Sequence, residues 1–327
     1  MNIYLMVSLI LVILVQSVFL TFIRLRKKEN GKHADYYNQL MESELLSSGS
    51  QIDIAINMFN CKDRFGSSSL EVATLSARGS GHLDQKVPNQ DSFVSFQFNE
   101  YLIVALSDGV SNSPKSHVGS KLLTSNLRAA VETHIQPNAI DSKQDWAAVN
   151  EALTREMLAE YLKRNGKKYL DSEITSTNVR VDAAKYFAAT LEVLVVSRAP
   201  TTDENYGKFF FIRIAGDGSV LLLDEKCKTF RLVSADQEAT KVKSSHRVSA
   251  LPLCDLAPEI YIGQITAGQR LLFMTDGLGD QSFKSTFQNE LRASLGLRQN
   301  PNSLMSFVLG DSVQTSDDRT ISILRLI

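Results

Sequence analysis

Carboxylates stand at the ends of apolar runs across most of this 327-residue chain. In LIVALSDG (residues 102–109), five apolar side chains lead through Ser107 to Asp108 and Gly109. FFFIRIAGDG (residues 209–218) repeats the figure with Asp217, and RLLFMTDG (residues 270–277) with Asp276, followed closely by Asp280. Asp91 opens an apolar run in NQDSFVSF, and the pair Asp317 and Asp318 opens another in DDRTISIL. Hard divalent cations such as Mg²⁺ and Mn²⁺ take oxygen ligands, and carboxylates on rigid strand ends can be held close together. Gathered carboxylates repel one another unless cations neutralise them, so such a cluster implies metal. Glycine after aspartate lets the backbone approach closely and leaves a carbonyl as a further ligand. Asp-Gly is also among the commonest turn pairs. Spacing alone leaves both readings open, hairpin corners or one metal site assembled at strand ends.

The elements that would position these residues are short runs rich in Val, Ile and Phe, bounded by Gly, Asp, Asn or Ser, as strands are. They include EVATLSA, SFVSFQF, YLIVALS, FAATLEVLVVS, KFFFIRIAG, SVLLLDE, IYIG, QRLLFMT and TISILRLI. Two helical patterns interrupt them. Leu122, Leu123, Leu127, Ala130 and Val131 recur at helical spacing over residues 119–135. Trp146, Val149, Leu153, Met157 and Tyr161 share one face over residues 145–165. Two shorter helices are expected in NELRASLGL and NSLMSFVLGDSV. Helices in blocks between consecutive strands predict an antiparallel α+β fold in one domain, rather than an alternating doubly wound sheet.

Composition narrows the class. A net charge of −1 with no basic stripe offers no footprint for nucleic acid. Cys61, Cys227 and Cys254 form no Cys-x-x-Cys pair and no Cys-x₅-Arg loop, which suits a reducing compartment and a chemistry without a cysteine nucleophile. From Ile3 to Ile23 the chain carries no charged side chain, long enough for a helix across the roughly 30 Å hydrocarbon core. RLRKK (residues 24–28) follows at once. The positive-inside bias predicts an uncleaved single-pass anchor in the inner (plasma) membrane, with the chain from residue 24 onward in the cytoplasm. The expected organisation is an anchor with its basic stop over 1–28, a juxtamembrane segment and linker over 29–70, and one folded domain over 71–327.

Taken in order, NQDSF, LIVALSDGVS, AGDGSVLLL, LLFMTDGLGD and DDRTISIL resemble the motif series of the type-2C metal-dependent serine/threonine protein phosphatases, the PPM superfamily. SARGSGHLDQKVPNQDSF looks most like a bacterial subgroup in which Gln-Asp replaces the usual acidic pair. The resemblance implies a four-layer α/β/β/α sandwich of two antiparallel sheets flanked by helices. It implies two or three Mn²⁺ or Mg²⁺ ions and a phosphorylated protein as substrate. Asp91 and Asp108 would bind or bridge the two catalytic metals with the Gly109 carbonyl, and Asp276 and Asp317 would complete the shell. Asp318 matches the residue after the family's ligand and is the register alternative to Asp317. Asp217 and Asp280 match positions that help hold a third, weaker ion, with a hairpin turn and a helix N-terminal aspartate as their competing readings. Lys86 stands where the family's phosphate-binding arginine is expected, with Arg78 and His82 as alternatives.

Departures from the pattern are Gln90 at the first acidic position, Val110 where many relatives have His or Met, and FAAT (residues 187–190) in place of a Gly-Ser-Thr stretch. They motivate the competing expectation of a non-catalytic, phosphatase-like scaffold. His33, His117, His134 and His246 show no ligand spacing and are expected at the surface.

Overall fold

In the computed structural model the described residues are 54–60, 70–84, 87–165, 176–197, 206–224, 230–233, 249–279, 284–296, 307 and 316–326. The expected membrane anchor lies outside them. Among the described residues no helix is long and apolar enough to cross a membrane.

Among the described residues eleven strands build two antiparallel sheets. The six-stranded sheet takes the order β1 (Ile54–Asn60), β2 (Leu70–Ala77), β11 (Arg319–Leu326), β10 (Arg270–Met274), β7 (Ser219–Leu223) and β8 (Phe230–Leu232). The five-stranded sheet takes the order β3 (Ser92–Phe98), β4 (Tyr101–Ser107), β5 (Leu191–Ser197), β6 (Tyr206–Ala215) and β9 (Glu259–Thr266). β1 lies inside the stretch expected to be linker. It pairs with β2 along its whole length, from Ile54 opposite Ala77 to Asn60 opposite Glu71, so the folded domain reaches back to Ile54.

The apolar runs are unbroken because both faces of these strands are covered. Leu102, Val104 and Leu106 of β4 point between the sheets, where Leu194, Phe209, Phe211, Leu271 and Phe273 meet them. Ile103 and Ala105 point outward, beneath α2 (Ser116–His134), α3 (Lys143–Arg164) and α4 (Thr177–Phe187). On the far side, Leu272, Met274, Ile321 and Ile323 pack with Leu278, Phe287 and Leu291 of α5 (Asp276–Gly279) and α6 (Ser285–Gly296). Helices therefore cover both outer faces. A short α1 (Ser80–Asp84) lies in the connection from β2 to β3.

Local chemistry supports the helices. Ser142 caps α3 by accepting the Asp145 N–H at 3.2 Å. The face from Trp146 to Tyr161 is buried as its spacing predicts, and the Trp146 indole N–H donates to the Ile140 carbonyl at 2.8 Å. In α2, Leu123, Leu127, Ala130 and Val131 are buried, whereas Leu122 is left half-exposed at the margin of that face.

Candidate active site

Five segments end at one edge of the sandwich, and its carboxylates come from both sheets. Ser92 pairs with Ser107 across the β3–β4 hairpin, which places Asp91 and Asp108 side by side just beyond the last pair. Met274 pairs with Ile321, and the Thr275 N–H then donates to the Thr320 carbonyl at 3.1 Å, bringing Asp276 beside the Asp317–Asp318 corner. None of the three Asp-Gly pairs is a hairpin corner. Asp108 leads toward α2, and Asp276 is the first residue of α5. Asp217 sits exposed where the chain crosses from β6 in one sheet to β7 in the other. Because Ser219 pairs with Met274, that crossing lies beside the strand end that carries Asp276.

Asp91 joins the two sheets. Its Oδ2 accepts the hydroxyls of Thr275 at 2.9 Å and Thr320 at 2.6 Å, both from the six-stranded sheet. Its Oδ1 is buried and receives no N–H or hydroxyl donor, and the carboxyl stands against that of Asp108. A row of hydroxyls continues inward: Thr320 Oγ1 lies 2.7 Å from Ser76 Oγ, and Thr74 Oγ1 lies 2.8 Å from Ser322 Oγ. These four side chains are buried between the sheets. They hold one another as pairs, so no donor is stranded.

Thr190 braces Asp108. The Asp108 N–H donates to Thr190 Oγ1 at 2.9 Å, the Thr190 N–H returns to the Asp108 carbonyl at 2.7 Å, and the Ser107 hydroxyl donates to the Thr190 carbonyl at 2.5 Å. The Val110 N–H continues the ladder to the Ala188 carbonyl at 2.9 Å. The FAAT segment thus splints the candidate ligand, and the hydroxyl it retains makes the contact. Gly109 is confined by α2, since a Cβ there would stand 2.7 Å from the Ser116 Cβ.

Asp317 and Asp318 divide their work. Asp318 is buried, with Oδ1 accepting the Gly79 N–H at 2.7 Å and Oδ2 the Gln90 N–H at 2.5 Å. Both carboxylate oxygens are therefore spent clasping the loop from 79 to 90 onto the start of β11. Asp317 is half-exposed at the cleft, and its Oδ1 accepts the Asp318 N–H at 2.9 Å.

The expected phosphate-binding residues fare differently. His82 is buried, with its Nδ1 2.9 Å from Asp318 Oδ1. Arg78 donates to the Val87 carbonyl at 3.2 Å and so ties down the same loop. Lys86 and Asp280 lie outside the described residues.

Electrostatics register the crowding. Burial above all, and then the charge of Asp318, pushes the Asp91 carboxyl up to about 8, against the pull of hydrogen bonds with the Asp108 carboxyl and the Thr320 and Thr275 hydroxyls. Asp108 is driven well above the carboxylate range by burial, then by Asp91, Asp276 and Asp317. Asp317 is raised too, chiefly by burial. Among the described residues no three His, Cys, Asp or Glu side chains close on one ion-sized point by themselves. Asp91, Asp276 and Asp317 nevertheless stand near enough to Asp108 for their charges to act on it. With an Asp91 Oδ1 that receives no N–H or hydroxyl donor, this all-oxygen set fits Mg²⁺ or Mn²⁺, since such ions keep several waters and take few protein oxygens.

A family model described as Protein phosphatase 2C matches residues 78–314, well over half of the chain. The chain belongs to the protein phosphatase 2C family. Its enzyme class is that of metal-dependent serine/threonine protein phosphatases. Its fold matches a crystal structure of the catalytic domain of the serine/threonine protein phosphatase PstP in complex with two manganese ions. The TM-score is 0.52 at 17% identity, over 80% of this chain and 100% of that one. An S. agalactiae serine/threonine phosphatase matches with a TM-score of 0.52 at 13% identity, covering 84% and 99% of the two chains. A point variant of a bacterial serine phosphatase matches with a TM-score of 0.52 at 15% identity, covering 80% and 99%. Among curated proteins none matches significantly.

Within this phosphatase 2C domain, several contributors escaped the sequence reading. Thr190, Thr275 and Thr320 were ordinary strand-end threonines until the sheets met. Glu192, a lone carboxylate within the apolar LEVLVV, carried a readable signal. It is buried beside the Asp217 crossing, and burial pushes its carboxyl up to about 8 against the pull of Arg213. Arg213 reaches it at 3.4 Å and also donates to the Gly218 carbonyl at 3.3 Å, bracing that corner. His117, expected at the surface, is half-buried, and burial with the charges of Arg164, Lys115 and Lys121 lowers its pKa.

Proposed function

We propose that this phosphatase 2C member is a membrane-anchored enzyme that hydrolyses phosphoserine and phosphothreonine on proteins at a site for two Mn²⁺ or Mg²⁺ ions. Asp91, Asp108, Asp276, Asp317 and the Gly109 carbonyl would hold them, and Asp217 would help to hold a third. The observation that carries the reading is the Asp91 carboxylate, fixed through Oδ2 by hydroxyls of the opposite sheet and set against the Asp108 carboxyl, while no N–H or hydroxyl donor reaches its buried Oδ1. Such ions, when bound, acidify a water for in-line attack on phosphorus and offset charge on the phosphoryl oxygens.

The chain's own residues do the positioning. Thr275 and Thr320 orient Asp91, Thr190 holds Asp108 in line with β4, and the Asp318 clasp sets the loop that leads into Asp91. Burial of these groups keeps solvent from relaxing the arrangement, as electrostatic preorganisation requires. Anchoring is supported by the uncharged run from Ile3 to Ile23 and the basic stop behind it.

The test is phosphate release from a phosphothreonine peptide. We expect release with Mn²⁺ or Mg²⁺, abolished by a chelator and lowered at least about 100-fold in Asp108→Asn, as loss of a bridging carboxylate implies. Activity that survives both treatments overturns the reading. Alkaline-washed membranes should retain the full chain and release one lacking residues 1–28.

A further inference from the structure

Glu192 is a buried carboxylate to which the metal shell assigns no part. It is 2% exposed on β5, two residues beyond Thr190, on the strand face that carries Leu194 and Val196 toward the opposite sheet. The β5–β6 ladder slips by one residue beside it. Glu192 faces Arg213 but Leu191 faces Ala215, so Ile214 is the extra residue. A bulge of this kind bends a strand, here where β6 leaves its sheet for the crossing to β7.

The crossing folds over this carboxyl. The Gly218 N–H donates to Glu192, and a Cβ on Gly218 would fall 2.0 Å from Glu192 Oε2 and 2.8 Å from the Met274 carbonyl oxygen. Gly216, at φ +133°, passes so close to β5 that a Cβ there would stand 2.8 Å from the Thr190 Cβ. Between these glycines Asp217 is exposed. Arg213 closes the arrangement. Its Nε lies 3.4 Å from Glu192 Oε1, its Nη2 donates to the Gly218 carbonyl at 3.3 Å, and its Nη1 donates to Glu259 Oε2 at 3.2 Å. The guanidinium also sits 5.5 Å from the Phe211 ring centroid and 5.9 Å from that of Tyr261. Glu192 and Arg213 thus hold both the N–H and the carbonyl of the residue that follows Asp217.

We propose that Glu192 and Arg213 are positioning residues that fix the Gly216–Gly218 crossing between the strand of Thr190 and the strand end of Met274, so that Asp217 is held ready for a third, weaker Mn²⁺ or Mg²⁺ ion. The inference rests on the reading of Asp217 as a ligand and names what orients it. Thr190 splints Asp108 and Met274 lies two residues before Asp276, so the crossing is pinned against both strands that deliver those carboxylates. A buried ion pair is a weak source of stability, because desolvation offsets its attraction. Its contribution here is geometric: a carboxylate and a planar guanidinium fix one peptide by its donor and its acceptor together. A ligand at an exposed crossing would otherwise be ordered only when the ion binds, and partners behind a ligand set its orientation beforehand.

The test is Mn²⁺ titration calorimetry on the full chain in detergent micelles, comparing the wild type with Glu192→Gln, Arg213→Lys and Asp217→Asn. Glu192→Gln keeps the side-chain volume and loses the charge, whereas Arg213→Lys keeps the charge and loses the fork. The wild type should show a tighter and a weaker class of ions, and Asp217→Asn should lose the weaker. Both pair variants should weaken that class roughly 10-fold or more, the range for residues that orient a ligand, and leave the tighter class in place. Glu192→Gln added to Asp217→Asn should cost the ions nothing further, since the pair acts through that aspartate. In chelator, hydrogen exchange over residues 216–219 should quicken in both pair variants. With p-nitrophenyl phosphate, the Mn²⁺ concentration giving half the maximal rate should rise. Pair variants that bind both classes like wild type overturn the proposal while the metal site stands. So does a loss confined to Glu192→Gln, which would make Glu192 a nearby charge and not a brace. Equal weakening of both classes with a lowered melting temperature makes the pair merely structural and overturns it as well. If instead Asp217→Asn keeps the weaker class, the third-ion reading fails first and the proposal falls with it.

Discussion

Replacing Asp91 by asparagine removes one buried charge while keeping the shape of its site. The wild-type carboxyl is 8% exposed and pushed up to about 8, whereas its ordinary value is 3.8. Between those values the metal-free folded chain keeps a proton that the unfolded chain has released. Stability is therefore full below about pH 4 and is lost as pH rises toward 8, at about 1.4 kcal/mol per pH unit. Across the window this amounts to a loss on the order of a few kcal/mol, shared by the Asp91 and Asp108 pair. Asparagine escapes that loss and can still accept the Thr275 and Thr320 hydroxyls through its oxygen. In a chelating buffer, Asp91→Asn should therefore unfold at a higher temperature than wild type at pH 8, by roughly 10 °C at 2–4 °C per kcal/mol. Near pH 5 the gap should shrink to a few degrees. Millimolar Mn²⁺ should reverse the order at pH 8, because binding to the folded state stabilises the wild type and not the variant. Circular-dichroism melts from pH 5 to 8 check this. Parallel melting curves for the two proteins in chelator, with the same pH slope, would refute the buried, like-charged cluster.

Two further outcomes test the splints around the site. Thr190→Val strands the Asp108 N–H in a buried setting, which should cost about 1–3 kcal/mol of stability in denaturant titrations and lower kcat more than it raises KM for p-nitrophenyl phosphate. Asp318→Ala leaves the Gly79 and Gln90 amides without acceptors, so midpoint Mn²⁺ affinity by calorimetry should weaken at least about tenfold while Asp317 remains in place. An Asp318→Ala protein that binds Mn²⁺ like wild type would remove the clasp from the account.

Much of the architecture is legible because it rests on local signals. Strands buried on both faces must be apolar at nearly every position, so YLIVALS and RLLFM announce themselves, as does the Trp146 face of α3. α4 is harder to read. Its buried face is Val179, Ala183, Ala184 and Phe187, and two alanines give the periodicity little contrast. β1 went unread because its value lies in pairing with β2 across an intervening loop. The hydroxyl row on β2 and β11 gives no signal in sequence for a related reason: its burial depends on a partner row that only the paired strands supply.

The sequence by itself determined which carboxylates stand at strand ends and in what order, and that order pointed to the phosphatase family. It could not separate Asp317 from Asp318. Neighbours on an extended chain project to opposite sides, so one step of register exchanges the cleft for the interior. Only the closure of β11 between β2 and β10 decides it, by turning Asp318 onto two amides of a loop some 230 residues earlier in the chain and leaving Asp317 at the cleft.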